Sequence, residues 1–288
     1  MEYKRKAIVA GSFYEGNRES LEQQIKNCFL HPIGPQEMPI TADKKKEREI
    51  MGIISPHAGF MFSGPVAAHN YFQLSLEKTP KTIIILGPNH RGSRGDISLM
   101  SKGQWETPLG VLEIDDLTAS ELIAQDENKF IKDDLQAHLL EHSIEVQLPF
   151  LQFIYPANEY KILPVGITNQ QLSVMKYMAE IICQTIKDNS REFLLIASSD
   201  FNHYEDQEIT RRKDAEAIKQ IINMNSSQLY KVIQDNDASI CGPGPISVVI
   251  EVCKRLGIKE GKLLKYATSG DVSGIYDQVV GYASIIFQ

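Results

Sequence analysis

The sequence predicts an α/β protein with a mixed, mainly parallel central sheet that is covered by helices on both faces. Strand-like and helix-like runs alternate along the 288 residues, and this βαβ rhythm is typical of that class. Three strand-like runs of β-branched and aliphatic residues also end in polar segments rich in histidine. Ligands of open α/β sheets bind at the carboxyl ends of strands, so the second observation supports the same fold.

The first half of the chain is expected to contain three strands, one hairpin and four helices. Pro65 suits the first turn of a helix, and the Pro- and Gly-rich stretch at 32–48 is typical of a loop. Extended flanks around Pro108 and Gly110 favour a hairpin or turn. We expect strands at 7–10, 49–55 and 82–86, the hairpin at 105–114, and helices starting near Ser20 and at 65–76, 118–125 and 139–153.

The second half continues the alternation. Gly257 is a good residue to follow a helix C-terminus, and residues 270–276 are typical of a turn between the last two strands. We expect strands at 160–167, 192–197, 263–267 and 279–287, and helices at 170–187, 208–222, 226–234 and 245–256.

Bulk composition narrows the function classes. The formal net charge of −7 argues against a broad nucleic-acid interface. No apolar run reaches the ~18 residues of a membrane helix, and no signal peptide is evident, so we expect a cytoplasmic protein. No linker-like change of composition interrupts the chain, which predicts one domain over residues 1–288. The glycine motifs of nucleotide-binding loops are missing, and a nucleotide cofactor is not indicated.

Two histidines follow two of the predicted strands. His57 comes after Pro56 at the end of the strand at 49–55, and His90 comes after Asn89 at the end of the next strand. A single histidine in a loop is usually structural. Two of them at equivalent strand ends favour a shared site, and neutral imidazoles are the commonest metal ligands.

Residues 198–204 form the densest polar cluster at a strand end. Asp200 could orient His203 or line a site, and a histidine beside a carboxylate is a candidate general acid or base. The alternative for Asp200 is a helix N-cap, because a helical run follows.

Cys241 lies in a rigid turn of two glycines and two prolines, just before a helix. A nearby helix N-terminus lowers the pKa of a thiol, and a thiolate could be a metal ligand or a nucleophile. The alternative is a small residue that fills a tight turn. The other cysteines, Cys28, Cys183 and Cys253, are expected to be small helical hydrophobes.

His138 and His142 are four residues apart, and a helix over 139–153 would place them on one face. With Glu141 they form the H-x-x-E-H order of inverted zincins. That pattern requires a further Glu ligand, and Glu145 follows too soon. We therefore expect this helix to form a wall of the cleft, with His142 pointing inward.

These motifs together resemble the Memo family, whose archaeal and bacterial members are called AmmeMemoRadiSam system protein B. The resemblance covers nearly the whole chain, and several long motifs occur in the family's order. They lie at residues 10–14, 55–59, 86–90, 141–149, 198–204, 241–245 and 269–272.

The resemblance implies a fold like that of class III extradiol ring-cleaving dioxygenases, which hold non-haem Fe(II) with two His and one Glu. His57 and His90 match the two metal histidines, and Cys241 takes the place of the third ligand. His203, His142 and Asp200 match pocket positions. A thiolate is softer than a carboxylate and favours copper(I) or zinc, so the implied cofactor is Fe(II) or Cu(I), with zinc as a third option.

The implied function is that of a metal-binding redox protein, resembling a non-haem dioxygenase. The alternatives are a binding module that recognises a small molecule, peptide or protein in the same cleft, and a metal carrier without turnover. The resemblance also implies a functional link to radical-SAM and AMMECR-type proteins.

Overall fold

The computed structural model describes residues 3–40, 46–187 and 190–288. The strands in these ranges are β1 (Lys4–Arg5), β2 (Gly52–Ser55), β3 (Thr82–Pro88), β4 (Ile97–Leu99), β5 (Gln104–Thr107), β6 (Gly110–Glu113), β7 (Ile131–Asp133), β8 (Lys161–Ile167), β9 (Phe193–Ser198), β10 (His203–Glu205), β11 (Gly261–Thr268) and β12 (Val279–Phe287). The helices are α1 (Arg18–Leu30), α2 (Phe60–Ser75), α3 (Asp116–Gln125), α4 (Gln136–Leu139), α5 (Leu148–Ile154), α6 (Leu172–Ile186), α7 (Gln207–Ile222), α8 (Ser226–Asp235), α9 (Pro243–Arg255) and α10 (Ser269–Ser273). Across the described ranges, no helix is long and apolar enough to cross a membrane.

A mixed sheet of nine strands forms the centre of the molecule, in the order β10-β12-β2-β9-β3-β8-β4-β7, with β11 also paired to β12. Its middle strands β2, β9, β3 and β8 are parallel. The pairings of β12 with its three neighbours and of β4 with β8 are antiparallel. The predicted fold class is therefore confirmed, with the parallel strands concentrated at the centre. A separate small sheet contains β1, β5 and β6.

Helices cover both faces of this sheet. In β3, Ile84 and Leu86 pack into one apolar layer, and Ile83 and Ile85 pack into the other, as the two-residue period of a strand requires. The first layer includes α3 and α6–α9, and the second includes α1, α2 and α5. Each fully buried aliphatic side chain contributes ~1.5–3 kcal/mol, so the central strands are held rigidly.

The structure corrects several element boundaries. Helix α2 begins at Phe60 rather than at Pro65, which lies inside it. One tertiary contact and one local contact support the extra turn: the Phe60 amide donates to the carbonyl of Phe13, and the Ser63 hydroxyl donates to the carbonyl of Ala58. The predicted strand at 7–10 is wrong, since only Ala10 makes an isolated bridge. Where a turn was expected at 270–276, α10 forms first.

The predicted helix over 139–153 is also wrong. Helix α4 ends at Leu139, a turn follows, and a 3₁₀ helix at Glu145–Gln147 leads directly into α5 at Leu148. The interruption has a clear cause, because the Glu141 side chain accepts the backbone amides of His142 and Ser143. Those two amides are therefore bound to a side chain instead of to helical carbonyls.

Candidate functional site

Three adjacent parallel strands deliver the predicted site residues to one edge of the sheet. Ser55 of β2 pairs in register with Ser198 of β9, so the two strands end at the same level. His57 and Asp200 each follow two residues later, and His90 follows the end of β3. The ring centroids of His57 and His90 are 5.5 Å apart. The ends of separate strands therefore bring His57 and His90 close together.

The His57 ring is oriented by a buried serine. Its Nδ1 lies 2.9 Å from the Ser198 hydroxyl oxygen. That hydroxyl donates its single proton to the carbonyl of Ser143 at 2.6 Å and accepts the side-chain amide of Gln147 at 2.9 Å. Because the proton is already used, Nδ1 of His57 must be the donor. The Nε2 atom of His57 therefore carries a lone pair.

The His90 ring is oriented by a buried carboxylate. Its Nδ1 lies 3.0 Å from Oε1 of Glu141, and its backbone amide donates to Oε2 at 2.6 Å. A carboxylate accepts hydrogen bonds, so Nδ1 carries a proton and Nε2 is the ring atom left to bind a metal ion. Burial alone would raise the pKa of Glu141, but hydrogen bonds from His90 and the Ser143 amide lower it well below its usual range. The group is an ionised carboxylate.

Burial favours the neutral form of His57 and His142. The pKa of His57 falls to about 3, because the ring is desolvated and lies beside His90. The pKa of His142 falls to about 4 through burial and the neighbouring His57. Neutral imidazole is the form that binds metal ions.

Cys241 approaches from the turn before α9. Its Sγ lies 3.3 Å from Nε2 of His57 and accepts the backbone amide of Asp200 at 3.2 Å. The expected lowering of its pKa is wrong. Burial and the Asp200 carboxyl raise the pKa of the Cys241 thiol, and these effects outweigh the helix N-terminus. All four cysteines are free, and the other three lie in helices as predicted.

The three predicted metal ligands fit a single ion. One ligand atom from each of His57, His90 and Cys241 lies within 4.8 Å of the other two. Metal–ligand bonds of ~2.0–2.3 Å allow up to ~4.4 Å between two ligands of one ion, and the 3.3 Å from Sγ of Cys241 to Nε2 of His57 is within that limit. Both histidines have their Nδ1 engaged by the protein, which is the usual arrangement around a metal-binding imidazole.

In a second grouping, the ligand atoms of His90, Glu141 and His142 also lie within 4.8 Å of one another. It fits an ion poorly, because the Glu141 oxygens already accept four N–H groups. These are the amides of His90, His142 and Ser143 and the Nδ1–H of His90. A metal ion bound to Glu141 would have to displace these donors.

Asp200 secures the turn that carries His57. Its Oδ1 accepts the His57 backbone amide at 2.8 Å, and its Oδ2 is 4.0 Å from Nε2 of the same residue. The N-cap alternative is wrong, since the cap of α7 is Asp206. Burial raises the pKa of Asp200, although the His57 amide acts in the opposite direction.

His203 lies beside the cleft and is partly exposed. Its Nδ1 is 2.7 Å from the carbonyl oxygen of Ser239. Carbonyl oxygens only accept, so Nδ1 is the donor, and Nε2 makes no hydrogen bond to the described part of the chain. The Ser239 hydroxyl also accepts the His203 amide at 2.8 Å. Since Ser239 is two residues before Cys241, this contact joins His203 to the thiol-bearing turn.

His142 and His138 lie in different parts of the structure. The His142 ring stacks on His90 at 4.9 Å and meets His57 edge-on at 5.5 Å, so the prediction that it points into the cleft is confirmed. His138 is fully buried beside Trp105, with its Nε2 3.2 Å from the carbonyl of Ser98. The prediction that the two histidines share one helix face is wrong, because α4 ends between them at Leu139.

Sequence reasoning missed the residues that orient the ligands. Glu141 and Ser198 were noticed only as members of polar motifs, and Gln147 and Ser239 had no expected role. Phe13 was also missed, although its ring lies 4.9 Å from that of His142. Their partners are distant in sequence, and only the fold brings them together.

Comparisons with known proteins agree with these motifs. The family model described as Memo-like protein matches residues 5–286. MEMO1 family proteins of Saccharolobus islandicus and Methanopyrus kandleri are 44% and 43% identical over 285 and 284 residues, and each alignment covers 99% of both chains. That of Sulfurisphaera tokodaii is 45% identical over 284 residues, or 98% of this chain and 99% of its own. An uncharacterized protein from Escherichia coli K12 shares the fold at a TM-score of 0.59, with 11% identity, 82% coverage of this chain and 99% of its own.

Proposed function

The chain belongs to the Memo family, and on that premise we propose that it is a metal-dependent redox protein. His57, His90 and Cys241 hold one ion in this proposal. One observation carries it: the three ligand atoms lie within 4.8 Å of one another, and buried partners leave both imidazoles in the metal-binding tautomer.

The donor set favours iron or copper. Imidazole suits both metals, and a thiolate adds affinity for Cu(I) and zinc. We therefore propose Fe(II) or Cu(I) as the resident ion and keep zinc as a third option. A bound iron or copper ion would supply one-electron exchange with a substrate, in a chemistry similar to that of non-haem oxygenases.

The surrounding residues have distinct roles in this proposal. His203, whose Nε2 is free to accept a proton, acts as the general base. Asp200 holds the His57 turn and, with a raised pKa, is a second group able to carry a proton. His142 is 20% exposed and forms the wall that a substrate contacts.

A second candidate function, recognition of a peptide or protein by the cleft, is favoured by exposed apolar side chains near the site. Leu140 precedes Glu141 and is 65% exposed, and Tyr204 follows His203 and is 72% exposed. Met61, in the first turn of α2, is 65% exposed. Contiguous exposed apolar groups are typical of interaction surfaces, and each of these three residues lies within four positions of Glu141, His203 or His57 in the sequence.

The proposal extends to a cytoplasmic location and to a functional link with radical-SAM and AMMECR-type proteins. Both extensions rest on the family resemblance. Co-purification of either protein type with the chain, from cells that express all three, would support the link.

Metal loading tests the main proposal. The chain is purified without oxygen, supplied with Fe(II) or Cu(I), dialysed, and analysed by mass spectrometry. We expect about one ion per chain in the wild type and in the control Cys183→Ser, and strong loss in His57→Ala and Cys241→Ser. If the wild type binds neither ion, the result would instead favour the second candidate function, recognition of a peptide or protein.

A further inference from the structure

A groove of about 380 Å³ lies between α7 and β11, on residues that the metal site does not use. Pairing between β11 and β12 shifts register between Leu263 and Lys265. Such a bulge changes which face a strand residue occupies, so Leu263 and Tyr266 both line the groove. Its other wall is one stripe of α7 that includes Ala215, Ile218 and Ile222.

The floor of the groove is apolar, and its charged lining residues are basic. Arg211 and Lys219 are exposed residues of this lining, which contains no acidic side chain. Arg211 forms a salt bridge with Asp271, and the distance from its Nη2 atom to Oδ1 of the carboxylate is 2.7 Å. Lys219 makes no salt bridge with any acidic group in the described part of the chain.

The hydroxyl of Tyr266 points away from the groove. It donates to Oδ2 of the buried Asp214 at 2.7 Å, so the groove receives the ring and not the polar atom. The same carboxylate accepts the Asn202 amide at 3.0 Å, and Asn202 in turn accepts the amide of Ser239. A built hydrogen-bond network therefore fixes this wall and connects it to the segment that holds His203.

We propose that the groove binds a small amphiphile with one anionic head, such as a medium-chain carboxylate. Its alkyl chain lies on Ile218, Ile222 and Leu263, and its head lies beside Lys219. The volume falls within the ~300–1,000 Å³ of ordinary ligand pockets. Apolar walls with a basic rim are complementary to an anionic amphiphile and not to a cationic one. The site is separate from the metal centre and does not rest on it.

Calorimetric titration of metal-free protein with decanoate tests the proposal, with decyltrimethylammonium as the probe of opposite charge. We expect saturable binding of one decanoate per chain and at least tenfold weaker binding of the cation. Ala215→Trp, which fills the groove, should abolish binding, and Lys219→Gln should weaken it about tenfold. Lys102→Gln, an exposed lysine elsewhere, and Cys241→Ser should bind as the wild type does.

Four results would overturn the proposal. One is equal binding of decanoate and decyltrimethylammonium. Another is loss of decanoate binding in Cys241→Ser, which would locate the ligand in the cleft. The third is no decanoate binding together with Lys219-dependent sedimentation on phosphatidylglycerol vesicles, which would indicate a membrane surface instead. Because Lys219 is exposed, Lys219→Glu should fold normally, and undiminished binding by that variant would also contradict the assignment.

Discussion

Nδ1 of His90 lies 3.0 Å from Oε1 of Glu141, and the amide of the same histidine donates to the other oxygen. One buried carboxylate therefore fixes both the position and the tautomer of a proposed metal ligand. The same oxygen Oε1 also accepts the amides of His142 and Ser143. The turn that breaks the predicted helix is thus part of the proposed metal site.

Glu141→Gln should lower metal affinity by roughly 10–100-fold, the usual effect of removing such an outer partner. Both oxygens of Glu141 accept N–H groups, so the side-chain NH2 of Gln would replace one acceptor with a donor and lose at least one hydrogen bond. Competition with a chelator of known affinity measures the change. Glu121→Gln, at an exposed position of α3, is the matched control, and equal affinities in the two variants would refute the role of Glu141.

Ser198→Ala should destabilise the fold and disturb His57. Three buried partners of the hydroxyl, on His57, Gln147 and Ser143, would each lose a hydrogen bond. Stranded buried polar groups cost about 1–3 kcal/mol each, so we expect a loss of at least ~2 kcal/mol in urea unfolding.

Ser20→Ala is the control for Ser198→Ala, because the Ser20 hydroxyl has no hydrogen-bond partner among the described residues. Its free energy of unfolding should stay close to that of the wild type. If the two variants unfold alike, the hydroxyl of Ser198 does not hold this network.

Glu145→Ala should destabilise the chain by roughly 3–5 kcal/mol, the usual cost of stranding one partner of a buried ion pair. Glu145 pairs with Arg5, whose side chain is 1% exposed, and accepts the amides of Ile8 and Val9. The double variant Arg5→Met/Glu145→Leu should recover part of that loss. No recovery in chemical unfolding would mean that the backbone contacts of Glu145, and not the charge pair, dominate.

Asp214 should make stability depend on pH. Burial raises its pKa from 3.8 to about 7, although Tyr266 and Asn202 donate hydrogen bonds that oppose the shift. The folded state favours the protonated form of Asp214. The contribution of this group to stability is therefore fully present below pH ~4. That contribution is lost as the pH rises through 7.

Asp214→Asn should remove this dependence and be roughly 2–4 kcal/mol more stable than the wild type at pH 8. The side-chain oxygen of Asn at position 214 can still accept a hydrogen bond from the backbone N–H of Asn202, so we expect the fold to be kept. Thermal unfolding between pH 4 and 8 measures how steeply stability changes with pH in the wild type and in the variant. Parallel pH profiles for the two proteins would show that Asp214 does not titrate in this range.

The sequence could predict the parts of this site that depend on strand ends. His57, His90 and Asp200 follow apolar strands directly, so the sheet alone brings them together. Cys241 was identifiable from its glycine–proline turn. The pKa of its thiol was not, because the burial of the sulfur and the nearby Asp200 carboxyl depend on distant segments.

The same reasoning accounts for the failures near His142. Local periodicity favoured a continuous helix, but Glu141 binds backbone amides that the helix would have used. That choice depends on the position of His90, which is 51 residues away. Tertiary hydrogen bonds of this kind leave no periodic pattern in the sequence.

The proposed ligand set is tested most directly by X-ray absorption spectroscopy of the anaerobic, copper(I)- or iron(II)-loaded chain. We predict nitrogen and sulfur scatterers in the first coordination shell of the wild type, and loss of the sulfur in Cys241→Ser. A first shell that lacks sulfur in the wild type, or one that is identical in the two proteins, would contradict the assignment of His57, His90 and Cys241 as the metal ligands.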